Sequence, residues 1–143
     1  MPTRHATAAW EGGLKTGRGT LRTATGAASG AYSFGSRFEE GAGTNPEELL
    51  AAAHAACYAM ALSGGLEKAG KAPTKIETDA ACTVEPKEGG GFRVSKMKLT
   101  VRAAVPGIEN DEFQQIAAAT RDGCPISGVL KGNVEVTLDA RLL

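Results

Sequence analysis

The sequence predicts an α+β fold. Three observations carry that reading: short alternating segments at the amino terminus, one long apolar run at helical spacing, and a second alternating region in the carboxy-terminal half that is closed by another helix and a last strand. The early segments, Thr3 to Trp10, Gly17 to Thr25 and Ala31 to Phe34, alternate in part and are separated by Gly12-Gly13 and by Gly26 to Gly30, which read as turns. Thr44-Asn45-Pro46-Glu47-Glu48 then marks a helix start, with a polar cap, proline in the first turn and two acids at the positive end of the dipole. Leu49, Leu50, Ala53, Cys57, Met60 and Ala61 recur at three- and four-residue steps and are expected to form its buried face, with Gly64-Gly65 and Gly70 weakening and then stopping it.

After Pro73 the period changes. Ile76 to Glu85 and Phe92 to Val105 read as two strands joined through Pro86 to Gly91, with Val94, Leu99, Val101 and Ala103 on one face and Met97 out of phase. Ile108 to Arg121 returns to helical spacing through Phe113, Ile116 and Ala117. Gly123 stops it, and Cys124-Pro125-Ile126-Ser127 reads as a second helix start with Cys124 at the cap. Asn133 to Arg141 alternates again as a final strand.

The chain has 143 residues, which suits a single domain over 1–143. Sixteen basic residues balance sixteen acidic ones, so the broad positive field of a general nucleic-acid binder is absent. The most apolar stretch, Leu49 to Leu62, is interrupted by His54, and at about 14 residues it falls short of a bilayer span. Together with an amino terminus lacking a signal-peptide core, this leads to the expectation of a soluble, cytoplasmic protein without membrane contact. Three cysteines are too few for a secreted disulfide framework, so any disulfide is expected to be transient and chemical.

The cysteines are the residues with chemistry to offer. Cys57 sits in the middle of the apolar helix, where the ordinary role of cysteine is packing. To react, it needs a nearby cation to offset the cost of forming a thiolate in an apolar site. Arg37, in Ser36-Arg37-Phe38-Glu39, is a candidate for that cation. Cys124, at a helix start, has unpaired backbone N–H groups that favour a thiolate, so local physics alone points to it rather than Cys57 as the readier nucleophile. Cys82 lies in a strand with no motif around it and reads as structural. His54, three residues before Cys57, shares part of its helix face and reads first as a packed histidine, with a His–Cys base pair as the alternative. No C-x-x-C or H-x-x-x-H spacing supports a metal, and Gly26 to Gly30 follows no nucleotide-binding pattern. Arg121-Asp122 and the lysines from Lys68 to Lys75 read as solvated charges.

The run Gly43-Thr44-Asn45-Pro46-Glu47-Glu48-Leu49-Leu50-Ala51-Ala52-Ala53-His54-Ala55-Ala56-Cys57, followed downstream by Cys124-Pro125-Ile126-Ser127, closely resembles the OsmC/Ohr family of osmotically inducible and organic hydroperoxide resistance proteins. Ser36-Arg37-Phe38-Glu39 and the order of elements place the resemblance on the OsmC branch. It implies an intertwined homodimer, with antiparallel sheets packed around long central helices and active sites at the subunit interface. It also implies a cofactor-free peroxidase that acts on organic hydroperoxides and, less efficiently, on hydrogen peroxide. By that resemblance Cys57 is the peroxidatic cysteine and Cys124 the resolving one. Glu47 is the carboxylate that holds the catalytic arginine, and Arg37 is that arginine. The Ohr branch takes its arginine from nearer the amino terminus, where Arg18 and Arg22 are the alternatives. The implied reductant is an external dithiol or a lipoylated protein, and the implied pocket is walled by Leu, Met and Phe side chains. On a straight helix Glu47 and Cys57 lie about 15 Å apart along the axis, so Glu47 either acts through an arginine or sits on a separate turn before the helix proper. Two other readings remain open: a non-catalytic stress protein that binds a hydrophobic small molecule, and a thiol redox sensor.

Overall fold

The computed structural model describes all 143 residues, which form two compact units, Met1–Leu49 and Leu50–Leu143. In the first, β1 (Ala6–Glu11), β2 (Arg18–Thr23) and β3 (Ser29–Tyr32) make an antiparallel sheet in that order. Gly19 of β2 pairs with Trp10 on one side and Tyr32 on the other, and those two rings meet in a tilted pair with centroids 5.4 Å apart. A Cβ at Gly19 would lie 2.6 Å from Tyr32 Cζ and 2.7 Å from Trp10 Cε3, so only glycine leaves room for this pair.

Strand β3 ends sooner than the alternation suggests. Phe34 belongs instead to a short helix, α1 (Phe34–Phe38). The cause is local: the Ser33 hydroxyl accepts the Ser36 N–H at 3.1 Å and the Ser36 hydroxyl accepts the Ser33 N–H at 2.8 Å, a reciprocal cap that turns the chain.

The long helix α2 (Pro46–Lys68) starts where its cap signal lies, with Asn45 Oδ1 accepting the Glu48 N–H at 2.7 Å. It runs through Gly64-Gly65 and stops at Gly70, whose φ of 73° suits the left-handed turn that ends a helix. Its 23 residues are by length and composition enough to cross a membrane, a correction to the shorter apolar stretch read from the sequence. Beyond that stretch the wholly buried Leu66 supports the extension and offsets the poor helix propensity of the glycines. The buried face is also rotated from the expected one. His54, Tyr58, Leu62 and Leu66 face inward, Cys57 and Ala61 are half-buried beside them, and Met60 is 81% exposed. Because α2 is apolar on nearly every side, spacing alone cannot mark its inner face.

In the second unit, β4 (Lys75–Pro86) and β5 (Phe92–Ala104) form the expected hairpin, and β6 (Glu135–Leu142) pairs with β5 in parallel, so this sheet is mixed. The parallel pairing follows from the connection. The chain leaves β5 and passes through α3 (Asn110–Gly123) and α4 (Pro125–Leu130), a crossover that returns it to the starting end of the sheet. Met97, Leu99, Val101 and Ala103 of β5 are all fully buried on one face. The residue out of phase is therefore Val94 rather than Met97. Thr83 pairs with Lys96 and Val84 with Val94, so Ser95 is an extra residue in a bulge that flips the pattern.

The α2 face, the β5 face and Val105, Ile108, Phe113, Ala117 and Cys124 make one apolar core. Tyr58 ties it together, donating its hydroxyl to the Ala117 carbonyl at 2.9 Å, and burial pushes that phenol's pKa up. Tyr58→Phe removes this bond and leaves the packing almost unchanged. A loss of about 1 kcal/mol in urea unfolding is expected.

Candidate active site

In the first unit, α1 presents Arg37 to Glu47 in the opening turn of α2. Arg37 Nε lies 3.0 and 3.2 Å from the two Glu47 oxygens and Nη2 lies 2.7 Å from Oε1, a forked, charge-assisted pair. The two segments are held in register because the Ser36 hydroxyl donates to the Thr44 carbonyl at 2.8 Å and Asn45 Nδ2 donates to the Ser36 carbonyl at 3.0 Å. Glu47 is buried, whereas the Arg37 side chain is 39% exposed. Its fork engages Nε and Nη2, so the Nη1 edge keeps a donor available to a ligand. Around Arg37 a pocket is walled by Trp10, Leu14, Tyr32, Phe34 and Phe38, and the guanidinium lies 5.0 Å from the Phe38 ring centroid. Aromatic rings rather than methionines make this wall. Of the two alternative arginines, Arg18 pairs with the exposed Glu11 at 3.3 Å, and Arg22 sits on β2 opposite Thr7 and Ser29.

In the second unit the two motif cysteines meet. The Cys57 thiol lies close enough to Cys124 and to the Ile126 backbone N–H for both to act on it. Burial pushes the Cys57 pKa up, while the Ile126 N–H opposes that rise. Cys124 is 2% exposed and serves at once as the last cap of α3 and the first of α4. Its φ of −68° and ψ of 142° are extended, as a residue before proline prefers. Pro125 thus breaks the helical path for one residue and turns the Cys124 side chain toward α4, where its sulfur accepts the Ser127 N–H at 3.4 Å. The Ser127 hydroxyl lies 3.2 Å from Cys124 Sγ and 2.8 Å from His54 Nε2. His54 is fully buried, and burial lowers its pKa, which keeps the ring neutral. None of the three cysteines is in a disulfide, and Cys82 is half-buried on β4. No group of three His, Cys, Asp or Glu side chains is arranged to hold a metal ion.

Two partners escaped the sequence reading. Ser127 lay within the quoted motif, but its bond to His54 spans two distant segments and has no sequence signal. Tyr58 has no sequence signal either, because helical spacing puts its neighbour Cys57 on the core face.

A match to the OsmC-like protein family model covers residues 39–139. The chain belongs to the OsmC family. The match includes Glu47, Cys57 and Cys124, and Arg37 lies just ahead of it. Among curated relatives, the chain is 47% identical to Peroxiredoxin OsmC of Escherichia coli over 134 residues, 93% of this chain and 92% of that protein. It is 35% identical to an organic hydroperoxide resistance protein of Xanthomonas axonopodis pv. citri over 103 residues, 68% and 67% of the two chains. Among solved structures, an organic hydroperoxide resistance protein of Elizabethkingia anophelis superimposes with a TM-score of 0.75 at 26% identity, covering 100% of this chain and 98% of that one. The OsmC relationship therefore extends across both compact units.

Proposed function

We propose that this protein is a thiol-dependent peroxidase that reduces organic hydroperoxides to alcohols. The observation that carries the reading is the proximity of Cys57 to Cys124, two thiols brought near each other from distant segments with no disulfide between them. The identity to a peroxiredoxin and to a hydroperoxide resistance protein supports the same chemistry. The Cys57 thiolate attacks the distal peroxide oxygen. An S–O bond forms, the O–O bond breaks, and the alkoxide takes a proton and leaves as alcohol. Cys124 then displaces the hydroxyl of the Cys57 sulfenic acid as water, closing a disulfide that an external dithiol or lipoylated protein reduces.

Arg37, oriented by Glu47, supplies the cation that a buried thiolate and a breaking O–O bond require. Glu47 and Cys57 lie about 15 Å apart along one helix, which favours a homodimer in which this pair serves Cys57 of the partner subunit. The aromatic wall beside Arg37 suits the organic part of the substrate better than it suits hydrogen peroxide. We read residues 1–143 as one OsmC-like domain working without metal or prosthetic group in the cytoplasm. In that reading α2 is a core helix, in keeping with the buried bond from its Tyr58.

Intact mass after one equivalent of cumene hydroperoxide tests the proposal. Wild type is expected to lose two hydrogens and Cys124→Ser to gain one oxygen. Unchanged masses in both proteins would overturn it in favour of a non-catalytic binding protein. Slow turnover beside rapid disulfide formation would favour a redox sensor.

A further inference from the structure

The peroxide-reducing step uses Cys57 and Arg37 but leaves two buried polar side chains of the second unit unexplained. His54 has no exposed surface, and its Nδ1 has no hydrogen-bond partner. Such a nitrogen is costly to bury, and a leucine at this place on α2 would pack without it. What the ring does hold is Ser127, itself only 5% exposed, at 2.8 Å through Nε2. Ser127 Oγ in turn lies 3.2 Å from Cys124 Sγ. His54, Ser127 and Cys124 thus form one buried hydrogen-bonded chain that ends beside the half-buried Cys57 thiol.

The direction of that chain follows from the orphaned nitrogen. A neutral imidazole carries one proton, and an unpartnered N–H is harder to bury than an unpartnered lone pair. The proton therefore sits on Nε2, which donates to Ser127 Oγ and leaves the Ser127 hydroxyl free to donate to Cys124 Sγ. Together with the Ser127 backbone N–H, the hydroxyl gives the sulfur two donors from a single residue.

We propose that His54 and Ser127 are positioning residues for disulfide closure, holding Cys124 Sγ against Cys57 and stabilising the negative charge that develops on it. In that step the Cys124 S–H bond and the Cys57 S–O bond break and an S–S bond forms. The thiol proton joins the departing hydroxide as water, and both His54 and Ser127 end as they began. The inference rests on the peroxidase reading and adds two residues to its second half.

Single-turnover mixing with cumene hydroperoxide, quenched with a sulfenic-acid-trapping dione and read by intact mass, separates the two steps. Ser127→Ala and His54→Leu are each expected to slow disulfide closure about tenfold or more, with trapped sulfenic acid accumulating. Peroxide consumption should change far less, and Ser127→Thr should restore closure. Closure at the wild-type rate in Ser127→Ala would overturn the proposal. So would equal slowing of both steps, or a Ser127→Thr variant as slow as Ser127→Ala. Nitrogen NMR of the unmodified protein provides a test independent of any variant's folding: His54 is expected as the neutral Nε2–H form, and an Nδ1–H form would overturn the donor chain. A wild-type protein that yields neither sulfenic acid nor disulfide would count against the peroxidase reading instead.

Discussion

Cys57→Ser is expected to abolish catalytic peroxide reduction, with a fall of about a thousandfold or more in the rate of cumene hydroperoxide loss under excess dithiol. The reason is the nucleophile. A serine hydroxyl in the same half-buried place on α2 is not ionised near neutral pH, and its oxygen cannot pass through the sulfenic and disulfide states. Cys124→Ser behaves differently: it still consumes about one equivalent of peroxide, because the first bond change needs only Cys57, and then stalls or over-oxidises. The contrast matters because the helix-start position of Cys124 made it the readier nucleophile on local grounds. Sustained turnover in Cys57→Ser with none in Cys124→Ser would reverse the assignment.

The second large effect concerns the arginine–glutamate fork. Arg37→Met is expected to lower kcat/KM by about 10²- to 10³-fold, the scale at which a charged donor to a transition state is missed. Burial already raises the Cys57 pKa, and the reactive form is the thiolate, so activity rises with pH through that pKa. Removing the cation raises the pKa further and moves the pH–rate profile toward higher pH. Arg37→Lys keeps the charge without the fork that meets both Glu47 oxygens, and is expected to fall between wild type and Arg37→Met. Arg37→Met also leaves the buried Glu47 carboxylate unpaired, which costs stability on its own account. The double variant Arg37→Met/Glu47→Gln removes that burden, and it should recover stability without recovering activity. A profile unmoved in Arg37→Met and moved instead in Arg18→Met or Arg22→Met would transfer the role to the amino-terminal strands.

The candidate residues were legible from the sequence to unequal degrees. Cys57, Cys124 and Glu47 stand in motifs that resemble a known family, and the family match includes all three. Arg37 stands first among three candidate arginines by the resemblance alone, and its fork to Glu47 depends on α1, the short helix that the reciprocal Ser33–Ser36 cap starts where the expected strand ends. The His54 and Ser127 pairing had no sequence signal, because the two residues lie on helices far apart in the chain.

What the sequence determined by itself was local. Asn45 and Pro46 start α2, Pro125 holds Cys124 extended between two helices, and the alternation on either side of Pro86 to Gly91 makes a hairpin. Each depends on a few neighbouring residues whose backbone preferences act without the rest of the fold. The tertiary structure alone decided the inner face of α2, the bulge at Ser95, the parallel return of β6 and the meeting of Cys57 with Cys124. A helix apolar on nearly every side has no preferred face until a sheet packs against it. Two thiols far apart in the chain become neighbours only when burial of the surrounding core offsets the entropy of closing the loop between them.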